Sequence, residues 1–227
     1  MSRQCGKLVV GALAEIPQPA LAAVIVAAAI AIIDLAAFGA LARFSRSELI
    51  LAVAAALGVM VFDVLTGVLI AVALSVVVAL GKLARPHDAV LGEGVGLDGW
   101  VDAEAYQGSA TLEGLLVYRF DAPLFFANVG WFRQRLRQAM DRNPGAERWV
   151  VIDFEGIGSV DSTAVEGLCE LVVELHEEGV VIGTARANDI VVGQLQRGGV
   201  IERIGDEHDY ATINQAVGAF RDAEQQR

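Results

Sequence analysis

The chain is written for two solvents. Between residues 21 and 41 the only ionisable side chain is Asp34, in a run built from Ala, Ile, Val, Leu, Phe and Gly. About 20 such residues, rising 1.5 Å each, cross a hydrocarbon core of roughly 30 Å. Pro17 and Pro19 stand at the start, where a helix has no use for their missing N–H donors. A secretory signal peptide is disfavoured because the run is too long and begins too late. A second apolar stretch, 49–80, follows Arg43, Arg46 and Glu48 and is interrupted by Asp63, Thr66 and Gly67. Its length is too great for one ordinary span and too small for two. The economical reading is a helical hairpin with arms 49–62 and 68–80 turning at 63–67, each arm about 20 Å long. One long tilted helix containing Asp63 is the alternative. From residue 87 onward the chain reads as a soluble α/β domain.

Charge divides the chain at the same place. Through residue 86 there are six basic and four acidic residues, whereas the remainder carries 11 basic and 24 acidic residues, a net charge of −13. An acidic surface of that size repels nucleic-acid phosphates and anionic headgroups, so nucleic acid is excluded as a partner and lipid contact falls to the apolar spans. Arg43 and Arg46 in the first loop, with Lys82 and Arg85 after the last helix, belong on the cytoplasmic side. That places the protein in the cell (inner) membrane as a multi-pass chain with its soluble domain in the cytoplasm, and leaves Arg3 and Lys7 outside. Cys5 and Cys169 are far apart and form no disulfide framework or metal-ligand spacing, as suits a reducing compartment.

Within the spans, Asp34 is either a coupling group or a residue near the helix end that reaches headgroup water. Small residues at 27–29, 54–56 and Gly58 permit close helix packing. Three helices, two of them short, do not enclose a solute pathway by themselves.

The soluble half alternates strands and helices. Residues 82–113 are Gly- and Asp-rich and read as a linker with one short strand at most. A strand over 115–120 is broken at Asp121-Ala122-Pro123, and Asn128 is placed to cap a helix over 129–141 that Asn143-Pro144-Gly145 ends. The apolar run 149–154 suits a sheet interior covered on both faces. A Gly-rich turn then leads to Ser159-Val160-Asp161-Ser162-Thr163 and a helix to about 178. Further elements follow: a strand over 180–185, a helix over 188–197, a short segment at 201–204 and a last helix over 210–224. The alternation predicts a mostly parallel sheet.

Asp161, Ser162 and Thr163 sit where a central strand gives way to a helix, the usual ligand edge of an open α/β sheet. Asp161 or Ser162 caps that helix, and a phosphate on Ser162 would bring about two negative charges to its start. The trio is otherwise a capping cluster only. Glu166, Glu170, Glu174 and Glu177 form an acidic stripe on the same helix, either a solvated face or a docking face for a basic partner. His87, His176 and His208 show no local arrangement with a nucleophile or a set of metal ligands, and no metal, cofactor or enzymatic activity is expected.

The segments 150–154 and 159–164, with the Gly-rich turn between them, resemble the core of the STAS domain, shared by sulfate transporters and anti-sigma factor antagonists. The similarity runs from about Gly114 to Phe220. The run Arg119-Phe120-Asp121-Ala122-Pro123-Leu124-Phe125-Phe126-Ala127-Asn128 resembles the transporter branch. In the apolar half, 16–23 and 67–72 are similar to the last three helices of the SulP anion transporters. The resemblance implies an α/β STAS domain at 114–221, with a mostly parallel central sheet flanked by helices, behind about three transmembrane helices. It implies a truncated SulP membrane region at 1–81, spanning about 20–41, 49–62 and 68–80, and a linker at 82–113.

SulP transporters have about fourteen membrane segments and bind substrate in an earlier core, so the resemblance implies a truncated or split member with a regulatory or scaffolding role in secondary active anion transport. Met1 to Leu13 would be its start, and a separate transporter core half or a homodimer its partner. A stand-alone regulatory module, binding a protein through the Asp161-Ser162 turn as the antagonists do, is the second implication. In the antagonists the Ser after the Asp is the phospho-acceptor, corresponding to Ser162; this chain has Ala164 where they usually have Gly, and no P-loop.

Overall fold

The computed structural model describes residues 18–32, 34–94, 96, 99–106, 108–142 and 148–226, in two compact units that divide at Val78 and Ala79. Expectations for Met1 to Leu13, for Pro17 and for Asn143-Pro144-Gly145 fall outside the described residues.

The first unit holds α1 (Gln18–Ile32), α2 (Leu35–Phe44), α3 (Arg46–Val61) and most of α4 (Val64–Ala84). The single span expected over 20–41 is two helical segments. Asp34 separates them, because its carboxylate accepts the Ala37 N–H at 3.0 Å and so starts a new helix. Ser45 does the same for α3 by accepting from the Glu48 N–H. The hairpin turn is also shorter than expected. Asp63 accepts the backbone N–H of Thr66 at 3.0 Å and its hydroxyl at 2.7 Å, so these residues open α4 instead of forming a loop. Gly67 then lies inside α4, where a Cβ would come within 2.4 Å of the Val59 nitrogen. Glycine there lets α3 and α4 meet backbone to backbone beside their junction. As a result α4 has 21 residues, about 32 Å, in place of the short arm expected at 68–80. The run Pro19–Phe44 and helix Val64–Ala84 are each long and apolar enough to cross a membrane.

The second unit is a seven-stranded sheet: β1 (Asp88–Gly94), β2 (Trp100–Asp102), β3 (Ser109–Ala110), β4 (Leu115–Phe120), β5 (Trp149–Asp153), β6 (Val181–Ala185) and β7 (Asp209–Tyr210). Its order is β2-β1-β4-β5-β6-β7, with β3 also on β1. From β4 to β7 the pairing is parallel, as expected. The segment expected as a linker at 82–113 instead supplies three antiparallel strands. Glycine caused the misreading: a Cβ on Gly92 would sit 3.1 Å from Ala110 O, so the residue that weakens the strand signal is the one that admits β3.

The helices are α5 (Val129–Asp141), α6 (Ser162–Glu177), α7 (Asp189–Arg197), α8 (Val200–Ile204) and α9 (Ile213–Gln225). Strand periodicity sorts the core into two layers. Leu116, Tyr118, Phe120, Val150 and Ile152 face α5 to α8, whereas Leu115, Val117, Trp149 and Val151 face α9. Phe132 of α5 is fully buried and makes edge-on contacts with Tyr118 and Phe120, at 5.7 and 5.3 Å between ring centres. The last helix starts at Ile213 and not near 210, since Tyr210 belongs to β7 and Thr212 caps the helix through the Gln215 N–H.

Candidate functional site

Strands β4 and β5 deliver two loops to the same edge of the sheet. After β4, Leu124 donates its N–H to Ser159 O at 2.9 Å and accepts from the Asp161 N–H at 3.0 Å, so the two loops pair like short parallel strands. Asp161 then does two jobs. One carboxylate oxygen accepts the Ala164 N–H at 2.7 Å and caps α6; the other accepts the Phe126 N–H at 3.0 Å and ties down the neighbouring loop. Of the two capping alternatives, the residue used is Asp161. Ser162 and Thr163 follow on the first turn, both exposed.

Asn128 occupies the position before α5 but its side chain makes no capping bond. It is buried, accepting the Phe125 N–H at 2.9 Å and donating to Pro123 O at 2.8 Å and to Leu83 O at 3.3 Å. The amide therefore folds the β4–α5 loop back on itself, a task that a local capping rule does not reveal.

A cleft of about 430 Å³ opens beside the turn, lined by Val160, Asp161, Ser162, Val165, Glu166, Gln194, Arg197 and Gly198. Gln194 of α7 closes its floor by accepting the Val160 N–H at 2.8 Å. Thr163, grouped with Asp161 and Ser162 by the sequence, does not line it. Gln194 and Arg197 were missed by sequence reasoning, because only the tertiary packing of α7 brings them to the α6 start.

Behind the turn lies a charge pair that sequence reasoning also missed. Asp153, at the end of β5, is fully buried and accepts from Arg186 Nε at 2.9 Å and Nη2 at 2.5 Å, and from the Glu155 N–H at 3.2 Å. Arg186 also reaches Glu155 at 2.7 Å and adopts a left-handed backbone, φ 58°. Such a conformation in a non-glycine residue costs of order 1–3 kcal/mol, and the double ion pair is what offsets it. Farther along this edge Arg119 donates to Asp121 at 2.7 Å, and His87 Nδ1 lies 3.1 Å from the same carboxylate. Partial burial of Asp121 favours its neutral form, but the bonds from Arg119 and His87 outweigh that and hold its pKa below the ordinary carboxylate value.

The acidic stripe of α6 has partners within the chain. Arg133 of α5 pairs with Glu170 at 2.6 Å and Glu174 at 2.5 Å, and Arg137 pairs with Glu174 at 3.1 Å and Glu178 at 2.6 Å. Glu170 and Glu174 thus hold α5 to α6, while Glu166 and Glu177 face solvent. Cys169 is half-buried, 3.5 Å from Gly198 O. No group of three or more His, Cys, Asp or Glu residues suited to a metal ion occurs among the described residues.

The STAS domain family matches residues 108–216. A probable sulfate transporter of Mycobacterium tuberculosis (strain H37Rv) is 43% identical over 211 residues, covering 93% of this chain and 38% of that protein. The chain carries a STAS domain and is similar to SulP sulfate transporters across both its apolar helices and its soluble part. A probable sulfate transporter of Arabidopsis thaliana is 31% identical, covering 89% of this chain and 31% of its own length. The chain therefore spans about a third of the length of the curated relatives it matches. The murine Solute Carrier 26 family member A9 anion transporter, in its inward-facing state, shares the fold with a TM-score of 0.71 at 24% identity, over 81% of this chain and 30% of that one. The second unit is a STAS domain with a mixed sheet flanked by helices, and the apolar helices before it are those of a membrane protein.

Proposed function

We propose that this chain is a regulatory or scaffolding part of secondary active anion transport, working with a membrane core supplied by other transporter helices. The observation that carries the reading is the 43% identity to a probable sulfate transporter, which extends over 93% of the chain and so takes in both the apolar helices and the STAS domain. Arg43, Arg46, Lys82 and Arg85 favour a cytoplasmic STAS domain on a multi-pass anchor in the cell (inner) membrane. With β1 to β3 included, the domain is best taken to start near Asp88 and to extend to about residue 221. Sulfate is the first anion to test, because it is the substrate named for the curated relatives. Vesicles holding this chain alone should take up no sulfate above empty vesicles. Adding a relative shortened by the matching region should restore uptake. Uptake by the chain alone would contradict the proposal.

A second reading has one observation in its favour: Ser162 is exposed on the rim of a cleft while Asp161 anchors the turn behind it. A protein partner of kinase-like or transporter type would dock on Asp161, Ser162 and Thr163, as on an antagonist-like module. Ser162→Asp should then abolish capture of such a partner by the full chain, whereas retained capture would remove this reading.

A further inference from the structure

We propose that the tip of the β4–α5 loop is a second membrane contact, with Phe126 set into the headgroup boundary beside the exit of α4 and Arg85 facing anionic headgroups. The acidic surface of the domain keeps most of it away from lipid, but charge is missing from this loop: the eleven residues 122–132 hold no ionisable side chain. Those it exposes are Pro123, Phe126, Ala127 and Gly130. At 69%, Phe126 is the most exposed aromatic ring among the described residues of the second unit. That exposure is not slackness. The Phe126 N–H is held by Asp161 at 3.0 Å, and its ring meets Phe125 edge-on with 5.4 Å between centres. A ring displayed on a fixed backbone loses little further freedom when something covers it.

Where the loop is tied indicates what covers it. With 21 residues α4 runs about 32 Å against a hydrocarbon core of roughly 30 Å, so its last turn emerges at headgroup level. Leu80 and Leu83, near that end, are both about half exposed. The buried Asn128 amide donates to Leu83 O at 3.3 Å. Two residues span at most about 7 Å, so Phe126 is kept close to the helix exit and adds its ring to the apolar surface there.

The charges at this exit suit a lipid surface. Lys82 and Arg85 flank Leu83, and both are exposed. Arg85 lies over the Trp131 ring, 5.3 Å from its centre, and makes no ion pair or hydrogen bond among the described residues. The nearby carboxylates are already engaged: Asp88 by Arg135 and Tyr118, Asp121 by Arg119 and His87. An arginine left over by its own domain is free to meet headgroup phosphate oxygens. An apolar tip flanked by cations is what segments lying in the bilayer interface present.

The test uses the full chain in lipid nanodiscs with a nitroxide amino acid encoded at position 126, 190 or 72. Its collisions with oxygen, which concentrates in lipid, are compared with those of a water-soluble nickel chelate. Ile190 of α7, 67% exposed, is the matched control, and Val72 of α4 reports the span. Position 126 should favour oxygen several-fold over position 190, as position 72 does. The same chelate contact at 126 as at 190 would overturn the inference by placing the ring in water. Protection from both reagents would also overturn it, because protein and not lipid would then cover the ring. Chelate contact at 72 would remove the span and this inference with it, whereas oxygen at 72 without oxygen at 126 removes the inference alone. Replacing phosphatidylcholine by phosphatidylglycerol should raise the oxygen preference at 126, by up to about fivefold for one basic side chain. Arg85→Gln should cancel that rise; no rise, or one that survives Arg85→Gln, would overturn the role given to Arg85. None of these readouts involves uptake, so the outcome is independent of the transport reading.

Discussion

The same residue types do opposite things in the two units. In β5 all five residues are buried within the chain, whereas Ile32 and Met60 of the first unit are each 82% exposed. Helices that are apolar all round require cover from outside, by lipid or by other membrane helices. Strands whose alternate residues face two helical layers provide their own cover. Hydropathy alone does not separate these cases, but periodicity does: the strands of the STAS domain sort side chains with a period of two, and α4 sorts nothing.

That contrast can be broken by substitution, starting where the effect should be greatest. Phe132→Ala empties a fully buried ring site and should cost about 3–5 kcal/mol in urea unfolding of the detergent-solubilised chain. Leu69→Ala, at a position 61% exposed, should change the same transition by less than about 0.5 kcal/mol. Equal losses would mean that the first unit builds a water-excluding core of its own.

Removing one member of a buried ion pair strands the other. Arg186→Met should destabilise by about 3–5 kcal/mol, less whatever is regained by releasing the left-handed backbone at that residue only if glycine replaces it. Arg186→Gly should therefore be milder than Arg186→Met, and the order of the two unfolding midpoints checks the assignment of strain.

Glycines sharpen the comparison inside α4. Gly67→Val has no room beside Val59, whereas a Cβ on Gly81 meets nothing within 4 Å. In liposomes Gly67→Val should expose the α3–α4 junction to protease, with an overpacking cost of about 1–3 kcal/mol. Gly81→Ala should leave cleavage unchanged.

The smallest effect is a pH dependence. Burial lowers the pKa of His208 below 6.5, with Glu207 opposing weakly. The unfolded chain then binds the proton more tightly, so this contribution to stability is present above pH 6.5 and is lost as pH falls through the lower folded value. Melting of the STAS domain should shift down between pH 7 and 5, and His208→Gln should flatten that slope. An unchanged slope would show that other groups set it.

Much of the STAS fold was legible because its signals are local. The runs 115–120 and 149–154 announce strands, and Asp161 with Ser162 announces a helix start. What escaped was set by distant partners. Gly92 reads as linker until β3 lies against it. Asn128 reads as a cap until its amide is seen folding the preceding loop, and the Glu170–Glu174 face reads as free until Arg133 and Arg137 of α5 meet it. In the membrane unit Asp63 was recognised as an interruption and Asp34 only as an ionisable residue within one span, but the capping bonds of both, which start new helices, moved the boundaries. Of the site, Asp161 and Ser162 were visible in sequence; Gln194, Arg197 and the Asp153–Arg186 pair depend on the packing of α7 and β6.

The most direct test of a STAS domain carried on membrane helices is flotation. Full chain mixed with liposomes is washed with alkaline carbonate and spun through a density gradient. The account predicts that the chain floats with lipid after the wash, and that protease then removes the STAS domain from the accessible face while fragments holding α1 and α4 stay in the lipid fraction. Recovery of intact chain in the lipid-free fraction would contradict it.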